Sequence, residues 1–467
     1  MTELVNDSKK GIAAVCAATY PPELGGAVAD DCPIRPLRNM KTFVARSGRL
    51  LLLTAALASA PLALMRGESE TPGVAATANT PTVESSGGND VGLGIFSRFP
   101  VNISAFVQGG YDDNIFTSNA IEQGSGFVSG GIALAYELGE SQRTTLTLSS
   151  QFGFTYYTEL DTDPFEPNIN LAVKVSHKAT PRLTMTFSGV FAYQNEPDFQ
   201  YGFGTNRRSG NYFFTQDTFG LNYAWAPRFA TASSYSIVAV QYDNMAAGFF
   251  EDRLEHTFGN EFRFLVWPTT NLVGEYRFQV VSYEHADRDS TTHYLLGGFD
   301  HAFTPRLTAA FRGGAQVRHY ENFDDQDSPY FQGNVNYRLG KDTSIGWNFH
   351  YGIEEGDVAT NTNRKSFRTG LQGKRDITAR ISASIAMYYY HDNYAESTFA
   401  TPGGGPPITN PSFSEDSFAI DLGLRYAVTR YLGVDLGYNH NQVSSDAAGT
   451  IRDYSRNRVY GGINFAF

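Results

Sequence analysis

The sequence predicts an all-β fold: a transmembrane, antiparallel, up-and-down β-barrel of about 18 strands, within a range of about 16–20. Three observations lead there. The chain is rich in aromatics and glycine and poor in charge, yet polar on average. Apolar and polar residues alternate with a period of two. The connections between alternating segments are short and long by turns.

Composition sets the frame. The 467 residues include 35 Phe, 27 Tyr and 46 Gly, and only 18% are charged, below the roughly 25% usual in soluble domains. Mean hydropathy is nevertheless −0.30, which excludes a bundle of apolar membrane helices. Beyond residue 60 no stretch approaches the roughly 18 apolar residues that a helical span needs. A net charge of −12 argues against a general nucleic-acid binder, whose affinity rests on neutralising phosphates.

The amino-terminal region reads as a processed leader. Lys41, Arg46 and Arg49 flank the start of an apolar run from Leu50 to Leu57, and Ala58, Ser59 and Ala60 follow. A charged segment, a short apolar segment and a small-residue site form a secretory signal. Residues 1–39 are expected to be a misassigned extension, with Met40 as initiator. Residues 40–60 are the expected signal peptide, with cleavage as late as Ala78. Residues 61–100, rich in Thr, Ser, Gly and Ala, are expected to form a flexible periplasmic tail. Cys16 and Cys32 both precede Met40, so the mature chain is expected to have no disulfide and no cysteine-bound metal.

Residues 101–467 carry the barrel pattern. Ile345, Trp347, Phe349, Tyr351 and Ile353 alternate with Gly346, Asn348, His350 and Gly352. Phe418, Ile420, Leu422, Leu424 and Tyr426 alternate with Ala419, Asp421, Gly423 and Arg425. This period puts successive side chains on opposite faces of a sheet. Eighteen such segments can be marked, from 101–110 and 127–138 to 431–442 and 454–467. Short basic connections, such as Thr180-Pro181-Arg182, Thr304-Pro305-Arg306 and Val428-Thr429-Arg430, alternate with longer acidic ones, such as 243–252, 284–289 and 392–415. Short periplasmic turns and long extracellular loops are the habit of outer-membrane barrels. Closure follows because an open edge in hydrocarbon would leave backbone groups unpaired, at several kcal/mol each. An even strand number places both termini in the periplasm.

Particular positions carry further expectations. Tyr460, Ile463, Phe465 and Phe467 in the last strand form the expected signal for the barrel assembly machinery. Aromatic clusters at Phe152–Tyr157 and Tyr388–Tyr390 are expected in the interfacial girdles, in contact with outer-membrane lipid. Alternation is muddled near 211–242 and 291–303, and Asp217 falls on the lipid-facing register. Asp112-Asp113-Asn114 reads as a polar cap on a strand end, with calcium ligation as the alternative.

Two stretches resemble a known family. Gly109-Gly110-Tyr111-Asp112-Asp113-Asn114-Ile115-Phe116 is similar to the opening of the putative β-barrel porin 2 family, and Tyr454-Ser455-Arg456-Asn457-Arg458-Val459-Tyr460-Gly461-Gly462 is similar to its close. The resemblance spans 101–467 and also fits the Thr-Pro-Arg-Leu turns. It implies a Gram-negative outer-membrane protein. Several members are associated with exopolysaccharide export loci, so polysaccharide export components are implied partners.

The inward register supplies candidate pore-lining residues. Glu255, Glu261, Arg263, Glu275 and Arg277 occupy one stretch of wall. Arg312, Arg318, Arg338, Arg368 and Lys374 occupy a second, and Asp421, Arg425, Asp435 and Arg458 a third. Rings of charge select ions. The run from Arg312 to Lys374 looks basic without matching acids and predicts a mild anion preference, unless these charges pair across strands. The Gly/Pro-rich stretch Thr401–Pro407 is either a lumen constriction or a surface tip. No H-E-x-x-H, G-x-S-x-G, phosphate loop or dinucleotide motif is present, so no enzyme, cofactor or metal site is expected. The expected function is a porin-like outer-membrane channel or export conduit for hydrophilic solutes. The alternatives are a loop-plugged structural or adhesive barrel and a barrel hydrolase. The residues leave solute identity and oligomeric state open.

Overall fold

The computed structural model describes residues 101–467 apart from 139–142, 162, 196–209, 244–247, 359–360, 400–407 and 448–451. The expectations for residues 1–100 and for Thr401–Pro407 lie outside the described residues.

The strands run β1 (Val101–Asp112), β2 (Ser125–Leu138), β3 (Thr144–Tyr157), β4 (Phe165–His177), β5 (Leu183–Gln194), β6 (Tyr212–Ala226), β7 (Phe229–Tyr242), β8 (Arg253–Trp267), β9 (Thr270–Tyr283) and β10 (Ser290–Thr304). They continue as β11 (Leu307–Tyr320), β12 (Gln326–Leu339), β13 (Thr343–Glu354), β14 (Arg364–Thr378), β15 (Ile381–Tyr394), β16 (Ser397–Phe399), β17 (Ile408–Asn410), β18 (Phe413–Ala427), β19 (Leu432–Ser445) and β20 (Tyr454–Ala466). The short β16 and β17 pair only with each other. The other strands form one 18-stranded sheet, closed by β1 pairing with β20. The expected all-β, up-and-down barrel is therefore the observed fold.

Each eighteenth of the wall was legible locally, and the differences lie at the strand ends. β4 and β12 begin three residues before the expected starts and include Pro167 and Pro329. Proline lacks a ladder donor. Pro167 pairs only toward β3 and Pro329 only toward β11, because β5 and β13 join the ladder two residues later. Each proline thus sits where its strand is locally an edge.

The tight turns repeat one device. Thr180, Thr304, Thr378 and Thr429 each offer Oγ1 to the backbone N–H groups two and three residues on, at 3.2 and 3.0 Å. A threonine that accepts from the turn's own donors fixes a two-residue reversal without a glycine.

Alternation sorts the side chains. Phe258, Phe262, Leu272, Tyr276, Leu295 and Trp347 face outward and are exposed. Tyr294, Arg312, Gln316 and Arg318 face inward and are buried. Runs of consecutive aromatics cannot all face one way. Tyr389 is outward, but Tyr388 and Tyr390 turn inward and are buried, as is Tyr157, which corrects the girdle expectation for those three. Tyr460 is likewise of opposite parity to Ile463 and Phe465 and packs inward near Ile115, Phe127 and Tyr157.

Candidate functional site

The interior is asymmetric. On the long-loop side it is filled. On the short-turn side it opens as a cavity of about 2090 Å³.

The filling begins between β13 and β14, where the described residues 355–358 and 361–363 reach into the lumen. Glu355 receives hydrogen bonds from Arg318 Nη1 on β11 at 2.7 Å and from Tyr283 Oη on β9 at 2.5 Å. Asp357 pairs with Arg452 Nη2, from the loop between β19 and β20, at 3.0 Å. It also accepts from Tyr394 Oη on β15. Arg288, between β9 and β10, donates through Nη1 to the carbonyls of Gly356, Val358 and Asn361 at 3.1, 3.4 and 3.3 Å. Its Nη2 donates to Phe250 O at 3.1 Å, and its guanidinium stacks 4.4 Å from the Tyr283 ring centroid. Asn361 and Asn363 donate to Ala395 O and Tyr320 Oη at 2.7 and 2.8 Å. The loop therefore touches opposite walls of the barrel. Such a crossing obeys the rule that buried backbone polar groups must find partners.

Burial and charge together set the protonation of the loop groups. Burial pushes Glu251 up to about 8, assisted by Asp357 and opposed by Arg253 and Arg288. Asp252 is pushed up to about 7 by burial, against the hydrogen bond it accepts from Tyr242 N. Burial would also raise Glu355, but Arg318 and Arg253 hold its carboxyl below the usual range. At the same rim Asp252, Glu284 and His285 bring three ligand atoms within 4.8 Å of one another.

Beneath the loop lies a layer of paired charge and tyrosine. Arg253 pairs with Glu255 at 2.8 Å, and His350 Nε2 lies 2.7 Å from Glu354. A cavity of about 200 Å³ here is lined by Gln279, Tyr294, Arg318, Tyr330, Glu355 and Arg364, among others. Next comes a knot on β8 to β11. Arg263 pairs with Glu261 at 2.5 Å, and Arg277 pairs with Glu275. Arg312 sits 2.8, 3.7 and 3.8 Å from Asp300, Glu261 and Glu275.

All fourteen sequence candidates project inward: seven in the packed layers, five on the vestibule wall, and Arg368 and Arg458 against aromatic rings. Glu255, Glu261, Arg263, Glu275, Arg277, Arg312 and Arg318 belong to the packed layers, and Arg263 also borders the open vestibule. Arg338, Lys374, Asp421, Arg425 and Asp435 line the open vestibule. Arg425 lies 3.9 Å from Asp435. Arg368 stacks 5.3 Å from the Tyr390 ring centroid, and Arg458 4.1 Å from that of Phe127. The expectation of an acid-free basic wall from Arg312 to Lys374 is corrected at Arg312 and Arg318. The carboxylates are Glu261, Glu275 and Asp300 on β8 to β10 for Arg312, and Glu355 in the loop after β13 for Arg318.

The two quoted motifs turn out to be neighbours. Asp112 and Arg456, 0% and 1% exposed, form a bidentate pair across the β1–β20 seam, with Arg456 Nε 3.0 Å from both carboxylate oxygens. Asn457 donates through its backbone N and Nδ2 to the Asp113 carboxylate at 2.6 and 2.7 Å, and Asn114 Nδ2 donates to Ser455 O at 3.0 Å. Asp112-Asp113-Asn114 is thus a polar cap that fastens the closing seam.

Comparison with known proteins follows the same geometry. Residues 262–467 match the model of the family putative beta-barrel porin 2. The match covers the carboxyl-terminal part of the span over which the resemblance was read, from the middle of β8 to the end of β20. No curated protein matches the chain. Among solved structures, OccK2 (OpdF) of Pseudomonas aeruginosa, in complex with glucuronate, is 11% identical at a TM-score of 0.42, over 79% of this chain and 98% of that one. OccAB4 of Acinetobacter baumannii is 11% identical at 0.40, over 79% and 98%. The siderophore receptor PirA of P. aeruginosa is 10% identical at 0.37, over 79% and 80%. The chain is a closed 18-stranded antiparallel β-barrel, of which residues 262–467 match that family's model.

The residue that sequence reading missed is Arg288. Its only sequence signal is a lone base in the acidic stretch 284–289.

Proposed function

We propose that this barrel sits in the outer membrane and conducts small hydrophilic solutes, with the 355–363 loop as its constriction and the vestibule as its periplasmic mouth. The observation that carries the reading is the asymmetric interior: a polar vestibule narrows onto a hydrogen-bonded layer built from one folded-in loop. A wall with an apolar outer face and a hydrated inner face suits passage of polar solutes across a bilayer. The same packing favours a second reading, a barrel whose loops close it and whose role is structural. Single-channel recording of the refolded barrel in planar bilayers separates the two. Discrete, stable conductance steps are expected. Silence from a barrel that shows folded β-sheet circular dichroism would reject the channel and favour the structural role.

A further inference from the structure

We infer that the outer face of the barrel carries a site for an anionic glycerophospholipid at the turn side of β13 and β14, a reading that rests on the barrel spanning a bilayer and not on its conducting. The site centres on Arg375. Along β14, Leu371 and Ile377 point outward and are exposed, and Arg375 shares their parity. Its ladder partners are Thr343 on β13 and Ala383 on β15. The same row continues to Leu339 on β12 and Leu424 on β18, both exposed. One outward row further from the turns, exposed Ile345 and Ile385 flank Gly373. The row through Arg375 is thus otherwise uncharged, and it lies one outward position inside the turn between β14 and β15.

Lys341 supplies a second cation. It lies in the turn between β12 and β13, two residues before Thr343, so its backbone is about 7 Å from that residue. Both cations are exposed, and among the described residues no ion pair engages either one. The acids of the two turns are placed elsewhere. Asp342 and Asp376 line the vestibule, whereas Lys341 and Arg375 do not. The two signs of charge are therefore sorted across the wall, these acids to the lumen and these bases to the outside. A base on the outer face is costly at the bilayer midplane and tolerated near the interface. There its stem lies along apolar neighbours while its head reaches the phosphate layer. A phosphodiester meets the arginine fork edge-on, the Thr343 hydroxyl adds a donor, and lysine adds a point charge. Ile345, Leu371 and Ile385 offer the acyl chains an apolar strip directly beside the headgroup. A zwitterionic headgroup brings an ammonium that needs an acid, and both nearby acids face the lumen. A headgroup of net negative charge has no such need, and each base near the surface adds to its attraction.

The test uses the refolded barrel and native mass spectrometry from detergent micelles doped with phosphatidylglycerol or phosphatidylcholine. Wild type is expected to retain phosphatidylglycerol saturably and in preference to phosphatidylcholine. The double variant Lys341→Gln/Arg375→Gln is expected to bind it at least about tenfold more weakly. Arg182→Gln, in the turn between β4 and β5 halfway round the barrel, is expected to leave affinity unchanged. Equal retention of the two lipids, equal affinity of the double variant, or an equal loss in Arg182→Gln overturns the inference, the last because it would mean a diffuse ring of turn charge. Displacement of the lipid by excess inorganic phosphate, but not by chloride of equal ionic strength, would mean a phosphate site and overturns it too. Membrane insertion is read separately, as the heat-modifiable band in phosphatidylcholine vesicles. A barrel that inserts but shows no lipid preference loses the site and keeps its membrane reading. One that fails to insert loses both.

Discussion

Asp217 is a carboxylate on the outward face of the barrel, the face that would meet lipid in a membrane. The ladder keeps it there, opposite Gly189 on β5 and Ile237 on β7, with no bulge nearby. Two local devices accommodate it. Gly189 leaves space, since a Cβ there would lie 2.7 Å from Asp217 Oδ1, and Thr215 Oγ1 donates to Oδ2 at 3.1 Å. The sequence showed the conflict, as muddled alternation near 211–242. It could not show the remedy, because Gly189 lies on a different strand. Charged groups on the lipid face of a barrel cost up to about 2–4 kcal/mol, acids less than bases. Asp217→Asn should therefore stabilise the barrel in vesicles by about 1 kcal/mol, read as a higher urea midpoint. An unchanged or lower midpoint would mean that the carboxylate has a partner in the membrane.

The crossing loop is held mostly by things other than itself. Arg288 alone satisfies three of its carbonyls and ties them to Phe250 O. Sequence reading left Thr401–Pro407 as either a constriction or a surface tip, because glycine and proline mark loops. The 355–363 loop has a different signature: Glu354, Glu355 and Asp357 follow a strand and face arginines on β8, β11 and β14. Those contacts join strands that are distant in sequence, and a period-two pattern carries no information about them. Hydrogen bonds to a charged group contribute about 1.5–3 kcal/mol in total effect when one partner is deleted. Arg288→Ala removes the clamp together with its stacking on Tyr283 at the end of β9. The expected result is larger and noisier single-channel conductance, with an unfolding midpoint lowered by the loss of those bonds. Conductance identical to wild type would show that the loop does not set the constriction.

At the scale of the whole molecule, the wall was legible because every strand meets only its neighbours, so local alternation and turn chemistry fix the register pair by pair. Closure is the one pairing that joins the two ends of the barrel, β1 and β20, and it is marked by the two motifs that looked familiar. Asp112 and Arg456 are both buried there, with Asn457 and Asn114 beside them. Removing one member of a buried ion pair costs about 3–5 kcal/mol, because the other charge is left without compensation, whereas replacing both is far milder. Arg456→Ala and Asp112→Ala should each lower the urea midpoint of the folded barrel strongly, while the double variant Asp112→Asn/Arg456→Gln should lose much less than the sum. The double variant should also restore the heat-modifiable folded band that either single variant weakens in unheated gels. If the single losses simply add in the double variant, the seam is held by its backbone ladder, and the pair contributes nothing specific to closing the barrel.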